Sequence, residues 1–294
     1  MTPLPFRPMP SGKKARQQRQ QAAAAPPPTR STGGRQASPK MLGIGGGVIA
    51  VIIIAVVLAL VMSGNSKGGP AIIGVPDITP ALGSSTKPND LGGPMPGATD
   101  VAALLKGIPQ NGFVLGDPKA PVQLTEFIDL QCPACQQFET TELEPLITQY
   151  VKNGDMSIRI QPWRILDRTS GEFDSLRGQK ATIAAAAQNK AFNFAQVLYL
   201  NQGPEGSGWL NDVEIGNIAA SVDGLDTKRF VEDANSSDTQ DKIAAIDTIG
   251  AARQFSATPT ILLAKLGQNA KVVSSGTPDL ATLKGQIQAL LDQK

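Results

Sequence analysis

The sequence predicts a mixed α/β domain with a helical insertion, preceded by a single N-terminal transmembrane helix. Three observations predict it. An uncharged apolar run fills residues 41–62, and the elements beyond it read strand, helix, strand, helical block, strand, strand, helix. The only two cysteines stand three positions apart, between the first long strand and the first long helix.

From Met41 to Met62, MLGIGGGVIAVIIIAVVLALVM holds twenty-two residues without a charge or a proline. As a helix it is about 33 Å long, against a hydrocarbon core of about 30 Å. A secretory signal peptide is the rival, but its apolar region runs to about 7–15 residues and needs small residues at a cleavage site, which LVMSG supplies poorly. A buried soluble helix has no use for so long a β-branched run. Residues 1–40 carry eight Lys or Arg and no acid, which puts the N-terminus in the cytoplasm and the rest outside a plasma membrane. Gly43 and Gly47 make one small-xxx-small pair, blurred by Gly45 and Gly46. The arm itself, rich in Pro, Gln, Ala and Arg, is expected to be disordered; its PFRP and APPP pieces read as polyproline ligands or as parts of a solvated tail.

Beyond Met62 the chain has nineteen basic and twenty-five acidic residues, so the formal charge of +2 conceals two unlike ends. A basic arm on an acidic domain does not describe a nucleic-acid binder. The chain has no histidine, which removes histidine acid/base catalysis and every Ser-His or Cys-His nucleophile.

Residues 63–111, dense in Gly, Pro, Ser and Thr, read as a tether, and 112–294 as the folded domain. PVQLTEFID is a buried strand. After the cysteines, Phe138, Leu143, Leu146, Ile147, Tyr150 and Val151 recur at helical spacing up to Gly154, with Pro145 kinking the helix rather than ending it. MSIRIQPW alternates as a second strand. From about 168 to 255 the chain is Ala-rich with helical spacing, interrupted at NQGPEGSGW and SVDG, and forms the inserted helical subdomain. PTILLA and KVVSS return to strand character. The last helix starts with Thr277 as N-cap and Pro278 in first position, and buries Leu280, Leu283, Ile287, Leu290 and Leu291.

Cys132 and Cys135 admit several roles. As a staple they close a loop of about four residues, which gains only about 2 kcal/mol. Structural zinc wants four Cys or His ligands, and the chain holds two. Haem attachment needs His directly after the second cysteine, where Gln136 stands. An exchange-active dithiol and a local structural disulfide are left. The first draws support from position: at a helix mouth, unpaired N–H groups favour the Cys132 thiolate, while Cys135 lies one turn inward. Pro133 suits the first helical position.

Glu126 falls on the strand face shared by Val122, Leu124 and Ile128, and burial there raises its pKa. It is either a proton relay to the inner thiol or an edge acid that reaches solvent. Thr258-Pro259, ahead of an apolar run, is a candidate cis peptide; a trans proline on an edge strand is the alternative.

Glu126 to Glu139, with Phe127, the C-P-x-C motif and Gln137-Phe138-Glu139, resembles the DsbA-like thiol–disulfide oxidoreductases of the thioredoxin superfamily. GDPKAPVQLTEF is similar to the usual approach to that motif, and the 124-residue gap from Cys135 to Pro259 fits a helical domain inserted into a thioredoxin-like fold. The resemblance implies an exposed nucleophile at Cys132, its partner at Cys135, a buried acid at Glu126, and Thr258 and Pro259 as the cis-proline segment that pairs with substrate backbone. It implies disulfide donation to reduced exported proteins, reoxidation by a membrane quinone-linked partner, and no metal or organic cofactor. Two positions depart from the pattern: Ala134 stands where strong oxidants often carry His, and Gln131 where reductases often carry Trp. The expected function is therefore a membrane-anchored, extracytoplasmic disulfide oxidase, with a tethered reductase or a non-catalytic peptide-binding protein as alternatives.

Overall fold

The computed structural model describes residues 94–167 and 173–293. The basic arm, the apolar run at 41–62 and most of the tether lie outside them. Among the described residues no helix is long and apolar enough to cross a membrane.

A six-stranded sheet in the order β1-β2-β4-β3-β5-β6 forms the frame. At its centre β3 (Val122–Ile128) runs parallel to β4 (Met156–Pro162), with Val122 opposite Met156 and Ile128 opposite Pro162. A parallel pair needs a crossover, and helix α2 (133–151) supplies it. On the other flank β5 (Thr260–Lys265) pairs antiparallel with β3, and β6 (Lys271–Ser275) with β5. Two short strands, β1 (Gln110–Asn111) and β2 (Val114–Leu115), extend the β4 side. β3 buries Val122, Leu124, Phe127 and Ile128 together with Glu126, while Gln123 and Thr125 are partly exposed.

Regular structure begins before Gly112, contrary to the expectation that 63–111 is all tether. Helix α1 (Ala98–Leu105) buries Ala98, Val101 and Leu105 in the main core. Its three-and-four spacing spans just two turns behind a Gly/Pro-rich stretch, too short to stand out. Gly97, at φ 76, brings the chain against Leu200, where a Cβ would come within 2.5 Å of the leucine Cδ1.

Helix α2 continues through Pro145. Its segments Pro133–Gln137 and Leu143–Leu146 are α-helical, while Phe138–Glu142 and Ile147–Val151 wind as wider π turns. The Leu143 N–H reaches back five residues to the Phe138 carbonyl, and this widened turn makes room for a proline that can neither donate nor tolerate a tight turn before it. The six apolar residues expected on its inner face are all buried.

Among the described residues, five helices come between β4 and β5: α3 (Asp174–Ala187), α4 (Ala191–Leu200), α5 (Asp212–Ala220), α6 (Thr227–Ala234) and α7 (Ser237–Ala252). Side chains of Asn211, Asp226 and Ser236 cap the last three, each accepting from N–H groups of the first turn. A second apolar cluster joins this insertion to the sheet: Phe127 and Trp163 meet Leu176, Ile183, Ile243, Ile246 and Leu262. Phe127, Trp163 and Phe255 meet edge to face, with centroids 4.9–6.3 Å apart.

The final helix, α8 (Leu280–Leu291), is capped by Asp279, whose carboxylate accepts from Thr282 N–H at 2.8 Å, rather than by Thr277. Two residues later in the chain, an aspartate is the stronger acceptor for the helix's third N–H. Thr277 instead donates to the Ala134 carbonyl at 3.0 Å, which ties the β6–α8 loop to the start of α2. Leu283 and Ile287 are buried, and Leu280, Leu290 and Leu291 pack partly buried on the core.

Candidate active site

Beyond Ile128, the turn 129–131 delivers the chain to Cys132, which is extended (φ −75, ψ 122) and caps α2. Pro133, exposed, takes the first helical position, where a missing N–H leaves no orphan. The Cys132 N–H donates to the Asp129 carbonyl at 3.0 Å, and the Cys132 carbonyl accepts from Gln136 N–H at 3.0 Å. Both cysteines are free thiols. Cys132 retains 7% of its surface and Cys135 none, so the outer sulfur is more sheltered than the resemblance implied. The shelter is the Thr258-Pro259 segment, whose peptide bond is cis: the Cys132 thiol donates to the Thr258 carbonyl at 3.4 Å.

The two thiols ionise very differently. A hydrogen bond from the Cys135 thiol, helped by the Thr258 hydroxyl and the N–H groups of Cys135 and Ala134, outweighs burial and lowers the Cys132 pKa from 9.0 to about 6. Burial, then the neighbouring Cys132, pushes Cys135 well above its ordinary value. Ala134, half-buried, offers the site only backbone: its N–H faces Cys132 and its carbonyl takes the Thr277 bond. Backbone and a second thiol thus do the work that a cationic side chain could have done at position 134.

Glu126 is fully buried and does not reach solvent. Beside it stands Glu139 from the π turn of α2, also buried, a residue that the strand-face argument alone did not single out. Desolvation first, and then the charge of Glu139, raise Glu126 well above the usual carboxylate range; desolvation raises Glu139 to about 8. The Gln196 amide of α4 donates to one Glu139 oxygen, leaving Glu139 Oε1 and both Glu126 oxygens with no other hydrogen-bond partner. Because the charge of Glu139 raises Glu126, Glu139 is the first of the pair to ionise and Glu126 keeps its proton to higher pH. Tyr199, fully buried, feels the charges of Cys135, Glu139, Asp129 and Cys132, so all of these lie in one low-dielectric pocket under the dithiol.

Asp129, Gln131, Ser175 and Asp167 are further polar residues around the turn, all but Asp167 fully or nearly fully buried. Two of them lie far along the chain in a link and a helix start, where nothing local marks them. Among the described residues no group of three His, Cys, Asp or Glu is placed to hold a metal ion.

A family model described as thioredoxin matches residues 109–274. The probable disulfide bond formation protein D of Bacillus cereus is 27% identical over 133 residues, covering 44% of this chain and 59% of that protein. The chain thus spans about three fifths of the length of the two Bacillus proteins it matches. BdbD of Bacillus subtilis, in its oxidised crystal structure, superposes with a TM-score of 0.53 at 20% identity, covering 63% of this chain and 98% of that one. α-DsbA1 of Wolbachia pipientis gives 0.52 at 20%, covering 63% and 94%. At such identity the two structures show a shared fold, including the helical insertion.

Proposed function

Because the chain belongs to the thioredoxin family, we propose that it is a DsbA-like thiol–disulfide oxidoreductase that introduces disulfides into reduced, newly exported proteins. The observation that carries the reading is the unequal dithiol: a Cys132 pKa of about 6 beside an enclosed Cys135 whose pKa is raised. In the oxidised protein a substrate thiolate attacks the Cys132 sulfur, the Cys132–Cys135 bond breaks, and Cys135 leaves as a thiolate that must take up a proton. Glu126, which keeps its proton beside Glu139, is the proposed donor. A second substrate thiolate then attacks the substrate sulfur of the mixed disulfide and releases Cys132. Two electrons have passed from the substrate dithiol to the pair. A leaving thiol of low pKa departs readily, which favours oxidation of the substrate over its reduction.

Thr258 and Pro259 border the reactive sulfur and are proposed to pair with the backbone of the bound peptide. The names of the Bacillus relatives, concerned with disulfide bond formation, agree with this direction. The anchored, extracytoplasmic location rests on the apolar run 41–62 and its basic flank, with the N-terminus cytoplasmic; a compartment that preserves disulfides fits the activity. Reoxidation is assigned to a quinone-linked membrane partner. The dithiol itself carries the electrons, so the reading needs no metal or organic cofactor.

The test is oxidation of a reduced two-cysteine peptide by the oxidised full chain, with Cys132→Ser beside it. Disulfide formation by the first alone is expected; equal behaviour of the two would leave a peptide-binding protein. A reduction potential near the thioredoxin value of about −270 mV, rather than near about −120 mV, would turn the assignment to a reductase.

A further inference from the structure

Every residue of the turn that precedes the reactive sulfur is held by groups from the helical insertion or from the link leading into it. We propose that Asp129 and Gln131, fixed by Ser175 and Asp167, are positioning residues for thiol exchange, so that the insertion sets where the Cys132 sulfur stands; the inference rests on the exchange reading above.

Asp129, fully buried, collects donors on both carboxylate oxygens. Oδ2 accepts from the N–H groups of Ile165 at 2.7 Å and Leu166 at 3.0 Å, and Oδ1 from Gln131 N–H at 3.1 Å. The Ser175 hydroxyl lies 2.7 and 2.8 Å from the two oxygens. Gln131, also fully buried, donates through Nε2 to Ser175 Oγ at 2.7 Å and to Asp167 Oδ1 at 3.0 Å, while its Oε1 accepts from Gly206 N–H at 2.8 Å. Asp167 is itself fixed by the N–H groups of Ser175 and Leu176, at 2.9 and 2.8 Å. From the loop after α4, the Gln202 amide donates to the carbonyls of Leu130 at 3.0 Å and Cys132 at 3.5 Å.

The backbone of Asp129 touches both cysteines. Its carbonyl accepts from Cys132 N–H and from the Tyr199 hydroxyl, each at 3.0 Å, and its N–H bonds the Cys135 sulfur. A side chain locked by four donors therefore fixes the backbone on which both thiols are mounted. Stabilisation of the Cys132 thiolate depends on the aim of the Ala134 and Cys135 N–H groups, and aim is lost when a turn loosens. Burial raises the Asp129 carboxyl above its ordinary value, and the donors from Ile165, Ser175, Leu166 and Gln131 oppose that rise. Loss of aim in the turn disfavours the thiolate. The other titratable groups facing this region are Cys135, Tyr199, the Glu126–Glu139 pair, Asp167, and Asp174 with Arg177 beside it.

The full chain, reduced, is compared as wild type, Ser175→Ala, Gln131→Met and, as a control outside the network, Ser207→Ala, whose exposed hydroxyl donates only to the Pro204 carbonyl. Alkylation of Cys132 against pH, reduction potential against glutathione and Tm are read for each. For the first two variants the thiol pKa is expected to rise, slowing alkylation at a pH below the wild-type midpoint about tenfold, with a less oxidising potential. Ser207→Ala should match wild type. Unchanged pKa and potential together with a lowered Tm would overturn the proposal and reduce the network to scaffolding. Should Ser175→Ala not fold, Gln131→Met decides the matter by the same readouts. If wild type fails to oxidise a peptide while the pKa shift persists, it is the exchange function that falls and the positioning that stands.

Discussion

Ionisation of one sulfur sets the pH range in which this dithiol reacts. With Cys132 at about 6, alkylation of the reduced full chain should be half-maximal near that pH and level above it, with Cys135 reacting only under denaturing conditions. The same shift bears on stability. Lowering the folded pKa from 9.0 to about 6 gives the reduced protein stability that is whole above pH 9 and disappears as pH falls to 6, offset above pH 9 by the raised Cys135. Chemical denaturation of the reduced protein across that window measures it. The buried carboxyls act in the opposite sense. Their raised pKa values give stability that is whole below the ordinary 4.5 and is lost as pH rises, toward about 8 for Glu139. Glu126→Gln should therefore keep the fold, raise Tm at neutral pH and slow turnover of a peptide substrate; an unchanged exchange rate would remove Glu126 from the mechanism.

At the level of elements, the approach of helix to turn is set by glycine. Gly178 of α3 faces Leu130, and a Cβ there would lie 2.4 Å from the leucine Cβ. Gly178→Ala should cost about 1–3 kcal/mol and also slow exchange, because the displaced residue sits two positions before Cys132. Gly250 of α7 lies under Trp163, where a Cβ would meet the ring at 2.4 Å. Gly250→Ala should cost a similar amount, about 1–3 kcal/mol, and slow exchange less than Gly178→Ala, since Trp163 acts on the turn only through its bond to the Ile128 carbonyl and the link to Ile165. Thermal unfolding beside alkylation kinetics separates the two outcomes.

The whole molecule joins an apolar run to an enzyme-like domain, and their connection has its own test. The full chain should fractionate with membranes and resist extraction at alkaline pH, and deletion of 41–62 should release it. A reporter fused after residue 293 should be active outside the cytoplasm. Recovery of the intact chain in the soluble fraction would remove the anchor while leaving the dithiol chemistry untouched.

The order of the elements from β3 onward, the strand and helix flanking the cysteines and the inward aim of Glu126 were legible because each is written in neighbouring residues: alternation in VQLTEF, helical spacing after Cys135, a proline at the helix start. Two turns of α1, the cap at Asp279 and the π turns of α2 were harder to read, since short helices carry few periodic positions and a π turn leaves no local mark. The partners of the site belong to another class. That Glu139 meets Glu126, that Gln196 steadies it, and that Ser175 and Asp167 grip the turn all depend on segments 13 to 57 residues apart being folded together. Sequence alone determined which atoms can trade a disulfide, because thiol chemistry belongs to residue type. Only the tertiary structure decided how readily they ionise, because burial and the aim of hydrogen bonds exist only once distant segments have packed.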